Sequence, residues 1–443
     1  MLKLSGLAVT SAALASLAQQ TVPADYTIDI APYDLDVARR RSIKTIAYNR
    51  QVPGPLLRLQ EGRPVTIDVS NQTANSEVVH WHGLFLPPQV DGATEEGTPL
   101  IPSGGHARYT FTPRPSGFRW YHTHTFAGKD LHKAQYTAEH GFLFIEPRDN
   151  PGRYDQEIFL ALHDWDGELE SSGDGAMDPI YGVSTINGRV LGFGEPLRVK
   201  SGERVLLHIL NSSPSEVHWI AFSGHQFNVT ALDGNPVPRP QVVSMLRLAP
   251  AERVTAMVEM NHPGAWVLGE VRKHIMAAGM GIAVEYAGSS GKPRWDQPEN
   301  LLWDYLPFAS ADPALPQQAS TVTIPLVFES KFAGHGAMDH WTINGKSYPE
   351  TVGPTLTAGQ RYRLAFNNRS TNNHPVHLHR HIFELCRLPG HPEVRGILKD
   401  TILVDAGAQV DVEFIANDPG LTLFHCHQQN HMDAGFMMLF RYA

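Results

Sequence analysis

Internal repetition constrains this chain more than any other feature. Residues 49–83 read NRQVPGPLLRLQEGRPVTIDVSNQTANSEVVHWHG, residues 187–225 read NGRVLGFGEPLRVKSGERVLLHILNSSPSEVHWIAFSGH, and residues 344–381 read NGKSYPETVGPTLTAGQRYRLAFNNRSTNNHPVHLHRH. Each copy opens on an Asn turn and passes through an apolar stretch and a polar turn with Gly. An alternating strand, an Asn/Ser-rich segment and a His-bearing strand follow. The ends of the units repeat as well: RPSGFRWYHTH at 114–124, HPGAWVLGE at 262–270 and DPGLTLFHCH at 418–427 each set a Gly turn before a strand. A repeat of this kind decides the architecture before any single residue does. Short alternating strands between Gly, Pro and Asn turns predict β-sandwiches. The chain therefore reads as all-β, with three Greek-key sandwich domains at 23–150, 155–290 and 320–443 and a Pro-rich linker at 291–319. Its 443 residues are enough for that many domains.

The histidines come in pairs. With 23 His in the chain, chance supplies about one His-x-His. Five occur, at 80/82, 122/124, 377/379, 379/381 and 425/427. In a strand, residues i and i+2 share a face. His80 and His82 thus project together, as do His122 with His124, His377 with His379, and His425 with His427. Two of these four strands lie in the first domain and two in the third. If those domains pack together, eight imidazoles can converge between them. Imidazole binds copper, zinc, iron and nickel, and eight donors suit a cluster of two or three ions better than one. The plain alternative, buried His bonded to backbone, accounts for one such pair but not for four in matching repeats.

Cys426 lies between His425 and His427, so its side chain points to the opposite face. His431 follows five residues on, and His374 precedes Pro375 in HPVHLH of the same domain. One thiolate with two imidazoles is the ligand set of a blue-copper electron-transfer site. The backbone of 425–427 would then join a one-electron port to a multi-electron store, an arrangement suited to one-electron oxidations coupled to four-electron reduction of O2 to water. Cys386, in HIFELCRLPG, has no such neighbours and reads as a buried structural thiol. With Cys426 a ligand, the two cysteines leave no disulfide framework.

These segments resemble the signatures of the multicopper oxidase family, which includes laccases, bilirubin oxidases, cuprous oxidases and ferroxidases. The signatures are HWHG at 80–83, YHTH at 121–124, HPVHLH at 374–379 and HCHQQNHMDAGF at 425–436. The resemblance implies three cupredoxin-like domains and four copper ions: one type 1, one type 2 and two type 3. By similarity, His374, Cys426 and His431 match the type 1 ligands. His80 and His377 match the type 2 ligands, and His82, His122, His124, His379, His425 and His427 match the type 3 pair. The middle domain carries LGE at 268–270 where the third carries HCH, so it is expected to bind no such copper. Phe436 stands at the axial position of the type 1 site, where a ring cannot donate. Asp91 matches an acid that in relatives lies near the type 2 copper and relays protons to reduced oxygen. A second family acid usually follows HCH; the candidate places hold Gln429 and Met432, with Asp433 next door. His425, Cys426, His427 and Asp91 are therefore the expected catalytic residues.

The resemblance leads us to expect a laccase-type oxidase of phenols and aromatic amines, with a cuprous or ferrous oxidase as the second reading. No Met-rich insert interrupts the linker, against a dedicated cuprous oxidase. A copper-free scaffold protein of the cell envelope is the reading from another class. The first 22 residues read as a signal peptide, and MLKLSG resembles the tail of a twin-arginine export motif. A periplasmic or secreted protein follows. A net charge of −9 gives no support to nucleic-acid binding, and no internal run is apolar enough to span a membrane. The expected partners are a small reducing substrate and O2, and the expected state is a monomer.

Overall fold

The computed structural model describes residues 23–147, 153–171, 177–289, 291–316, 318, 321–334 and 339–443. The expected signal segment lies outside them. Six sheets form three sandwiches. The first pairs a sheet ordered Arg41–Tyr48, Tyr26–Ala38, Val65–Asn71, His106–Phe111 with one ordered Gly54–Gln60, His140–Glu146, Gly117–Thr123, Val79–His82. The second and third each pair a six-stranded sheet with a five-stranded one, within 156–286 and 321–442. Helices are short: Pro88–Asp91, Lys273–Ala277 and Gln429–Asp433 are the α-helices among the described residues. None of the described helices is long and apolar enough to cross a membrane.

The repeats explain the sandwiches residue by residue. Asn49, Asn187 and Asn344 each sit at positive φ, near +52°, a conformation Asn tolerates. Each clips its side chain to the strand of the preceding turn. Asn49 accepts from the Asp29 amide, Asn187 from Ala161 and Asn344 from Val327. The alternating strand follows: Val65, Ile67 and Val69 point into the core while Thr66, Asp68 and Ser70 do not. In every unit that strand pairs in parallel with the first one, as Val65–Asn71 does with Tyr26–Ala38. Parallel neighbours need a crossover, which gives the Greek-key path.

A buried Asn then ends each strand. Asn71, Asn211 and Asn368 accept from the amides of Thr73, Ser213 and Ser370, two residues on. Their side-chain amides donate across to the Ile101 carbonyl in the first unit and, in the second and third, to the carbonyls of Leu248 and Val404 in the other sheet. This Asx turn moves the chain from one sheet to the next. The His-bearing strand begins there, so the turn sets where the imidazoles stand.

The domains pack closely. One apolar core runs from Leu160 in the second sandwich to Phe440 in the third. Phe118, Trp120, Phe142 and Phe144 of the first sandwich pack on Ala161, Leu210 and Ala251 of the second. Gly117 and Gly234 meet so tightly that a Cβ on Gly117 would lie 1.9 Å from the Gly234 carbonyl. The stretch after 291 is strapped down: Trp295, Leu301 and Trp303 pack on the middle sandwich. Ala314 donates to Glu384 of the third.

Candidate metal centre

The paired strands bring the histidines together. His80 lies opposite His122, and His377 opposite His425. The first and third sandwiches meet so that His80 stacks on His379 at 4.1 Å between ring centroids and His82 on His377 at 3.8 Å. His124 meets His425 at 5.1 Å, and His427 meets His122 at 5.1 Å. All eight imidazoles are buried. Three groups of ring nitrogens, His80/His82/His122, His80/His377/His379 and His124/His379/His425, each fall within 4.8 Å. His381, of the fifth pair, does not join them; its ring bonds the His379 carbonyl and the Tyr442 hydroxyl. The strand ends at Leu378 and Arg380 takes positive φ, so alternation stops before His381.

On the other face of Cys426, a triangle forms. The sulfur lies 3.7 Å from His374 Nδ1 and 3.6 Å from His431 Nδ1, and those nitrogens are 3.1 Å apart. Trp341 covers both rings, at 4.7 and 4.2 Å. Phe436 stands 4.7 Å from the His374 ring, and its carbonyl accepts from the Cys426 amide. Met438 lies in the core opposite Phe424.

The donor atoms fit metal ions. Nε2 of His80, His122 and His377, Nδ1 of His82 and His124, and both nitrogens of His427 have no hydrogen-bond partner although buried. Protein interiors rarely leave such atoms bare. The opposite nitrogen is generally held: His80 and His377 bond the Asp91 and Asp400 carbonyls, and His122 and His425 bond main-chain carbonyls. This is the usual device for fixing the tautomer of a ligating His. Burial pushes His82, His122, His379, His425, His427 and His374 well below their usual range, and His431 down to about 3. Neutral rings keep lone pairs for a metal. Burial likewise pushes the Cys426 thiol up, so a thiolate there needs a cation beside it. Two imidazoles and one sulfur are the donor set of a blue-copper site.

Carboxylates complete the surroundings. Asp91 Oδ2 accepts from His379 Nδ1 at 2.9 Å and lies 3.2 Å from His80 Nδ1. Burial, then the nearby Asp91, pushes Glu96 up, and Glu96 accepts from the Leu423 amide. Asp433 does not reach the cluster: it accepts from the Ala127 and Gly128 amides and from Gln429, and burial raises it to about 6. Gln429 bonds the Thr125 carbonyl. Sequence reading missed Asp400. Its carboxylate accepts from His82 Nε2 at 3.1 Å; burial opposes its ionisation, but Arg253 overcomes that and holds it at about 2.

Three multicopper oxidase domain profiles match, at 32–150, 161–284 and 323–443. The multicopper oxidase MmcO of Mycobacterium tuberculosis is 30% identical over 89% of this chain and 82% of its own length. The chain belongs to the multicopper oxidase family. Other relatives carry different names. Laccase-4 of Thanatephorus cucumeris is 24% identical over 86% of this chain and 82% of its own length. The solved structure of Fet3p, described as a multicopper oxidase that functions in iron import, superposes with a TM-score of 0.80 at 20% identity. That match covers 94% of this chain and 90% of Fet3p, and it shows the shared fold.

In this multicopper oxidase, the middle sandwich keeps the strand pair without the donors. Where the third has His377 opposite His425 and Val376 opposite Cys426, the second has Ala221 opposite Gly269 and Ile220 opposite Glu270. His218 is held between Asp164 at 2.9 Å and Glu270 at 3.1 Å. Burial pushes His218 down, but the two carboxylates overcome it and raise it to about 10. The stabilisation is fully present below the ordinary value of 6.5 and is lost as pH rises through about 10. His218→Gln is expected to cost about 3–5 kcal/mol at pH 6 and less above pH 10, checked by denaturant unfolding at both. An equal cost at both pH values would show that packing, not charge, holds the residue.

Proposed function

We propose that this multicopper oxidase is of the laccase type, coupling one-electron oxidation of phenols and aromatic amines to four-electron reduction of O2 to water. His374, Cys426 and His431 would hold the type 1 copper. His80 and His377 would hold type 2, and His82, His122, His124, His379, His425 and His427 the type 3 pair, four ions in all. Bound copper supplies one-electron redox chemistry at the first set and the electrons for O2 at the second. The observation that carries the reading is the peptide 425–427, whose Cys serves one donor set and whose two His serve the other.

The chain's own residues shape the rest. A cavity of about 330 Å³ lies between the second and third sandwiches. It is lined by Asn372 and Asn373, which precede His374, by Gln428 and Asn430, which flank the helix start before His431, and by Glu216 and Arg272. Burial, then Asp164, pushes Glu216 up, so it is suited to take the proton a phenol loses on oxidation. No Met among the described residues lines the cavity, which speaks against a soft Cu(I) site. Asp178, which lines the same cavity as Glu216, favours a second reading, oxidation of Fe(II), a harder ion. All donors come from one chain, which supports a monomer. The leader-like N-terminus supports export to the periplasm or medium.

Oxygen uptake by the copper-loaded enzyme tests this, comparing 2,6-dimethoxyphenol with Cu(I) and Fe(II). Efficient use of the phenol without added copper is expected. Far better use of a metal ion would make it a metal oxidase.

Phe436 gives a separate prediction. Its ring donates nothing, which favours the reduced site. Phe436→Met is expected to lower the type 1 potential by on the order of 59 mV, tenfold in a one-electron equilibrium. An unchanged redox titration would show that Phe436 does not set the potential of copper held by His374, Cys426 and His431.

A further inference from the structure

Six buried charges meet where the three sandwiches join beside the histidine cluster. Arg253, from the middle sandwich, grips Asp400 of the third with both arms of its fork, Nη1 to Oδ1 and Nη2 to Oδ2, each at 2.6 Å. Arg119 of the first sandwich approaches Asp400 Oδ2 at 3.4 Å and donates to the Asp233 carbonyl. Asp233 of the middle sandwich accepts from the amides of Asp400 and Thr401 and pairs with Lys399, which also pairs with Glu252. Three cations thus balance three carboxylates, and all six side chains are buried.

Residue 400 is also the anchor of two cluster histidines. Its carboxylate accepts from His82 Nε2, leaving Nδ1 of that ring bare, and its carbonyl accepts from His377 Nδ1 at 2.7 Å, leaving Nε2 bare. His82 and His377 belong to different sandwiches, and their rings stack. The glycine of HWHG leaves room for the clamp: a Cβ on Gly83 would lie 2.6 Å from Asp400 Oδ2 and 3.1 Å from Arg253 Nη2. Two-pronged contact of this kind fixes a carboxylate in direction as well as place.

We infer that Arg253 is a positioning residue for the histidine cluster, through which the middle domain sets the orientation of His82 and His377 by way of Asp400. The inference rests on the reading of those two histidines as copper ligands. It gives the middle domain a task beyond packing: it contributes no donor, yet it aims donors from both its neighbours.

Copper retention by the holoenzyme under a chelator tests this, with absorption and electron paramagnetic resonance spectra recorded alongside. Arg253→Lys keeps the charge and removes the fork. Asp400→Asn keeps the shape and the carbonyl to His377 but removes the anion facing His82. Either folded variant is expected to hold trinuclear copper about 10–100-fold more weakly, with a changed type 2 signal and an intact blue band. Lys399→Met cuts the same network on the side away from the histidines; it is expected to lower the unfolding temperature and leave the spectra as they were. Wild-type copper affinity and spectra in the Arg253 and Asp400 variants would overturn the inference alone. A wild-type protein that holds no copper at all would overturn the ligand reading with it.

Discussion

Cys426→Ser is expected to abolish the blue colour and stop turnover, while copper in the histidine cluster stays. The sulfur is the shared corner of the triangle with His374 and His431. A serine hydroxyl at the same place is a harder donor and does not ionise in a buried site. His425 and His427 keep their side chains, so the cluster keeps its donors. The loss of turnover is expected to exceed the about 10–100-fold that removal of a ligand's partner costs. Absorption spectra, copper per chain and oxygen uptake check it together. A variant that remains blue would mean that the sulfur is not the donor. Cys386 is no substitute, since its thiol bonds the Glu384 carbonyl in the other sheet and burial pushes it up to about 12.

Asp91→Asn is expected to separate the two halves of the reaction. Reduction of O2 to water consumes four protons, and the cluster is enclosed. Asp91 has one oxygen on His379 and His80 and a second, Oδ1, with no partner. It stands at the turn where Gly92, at positive φ, passes so close to Val79 and His80 that any Cβ would collide with their backbone. The carboxylate is therefore held against the cluster by the chain itself. Asparagine keeps the shape and the carbonyl that receives His80, and it loses the capacity to carry a proton. Reduction by substrate is expected to run as in the wild type, with the blue colour bleaching at the same rate. Reoxidation by O2 after rapid mixing is expected to slow by about 10–100-fold. Wild-type reoxidation would leave Asp91 as a residue that only orients His80 and His379.

The architecture and the convergence of the paired histidines were legible because they repeat. Asn49, Asn187 and Asn344 mark the same turn in each unit, and the alternation of Val65, Ile67 and Val69 gives the strand its buried face. The pairs at 80/82, 122/124, 377/379 and 425/427 read as one-sided strands, and all eight rings meet. His381 shows the limit of that reasoning, since the spacing continues past the end of the strand and the geometry does not. Asp400, Arg253 and Glu96 were not legible at all. Surface and buried charges look alike in a sequence, and Arg253 and Asp400 lie 147 positions apart. Only packing of three domains brings them together. Asp433 followed HCH closely enough to suggest a proton route, yet the helix turn aims it at the Ala127 and Gly128 amides.

The ratio of substrate electrons delivered to O2 consumed tests the central claim most directly. A type 1 port joined by residues 425–427 to a three-copper store predicts four electrons per O2 at steady state, with no hydrogen peroxide accumulating. Two electrons per O2, with peroxide formed in equal amount, would contradict the account, because it would mean that oxygen leaves before the cluster has delivered its full charge.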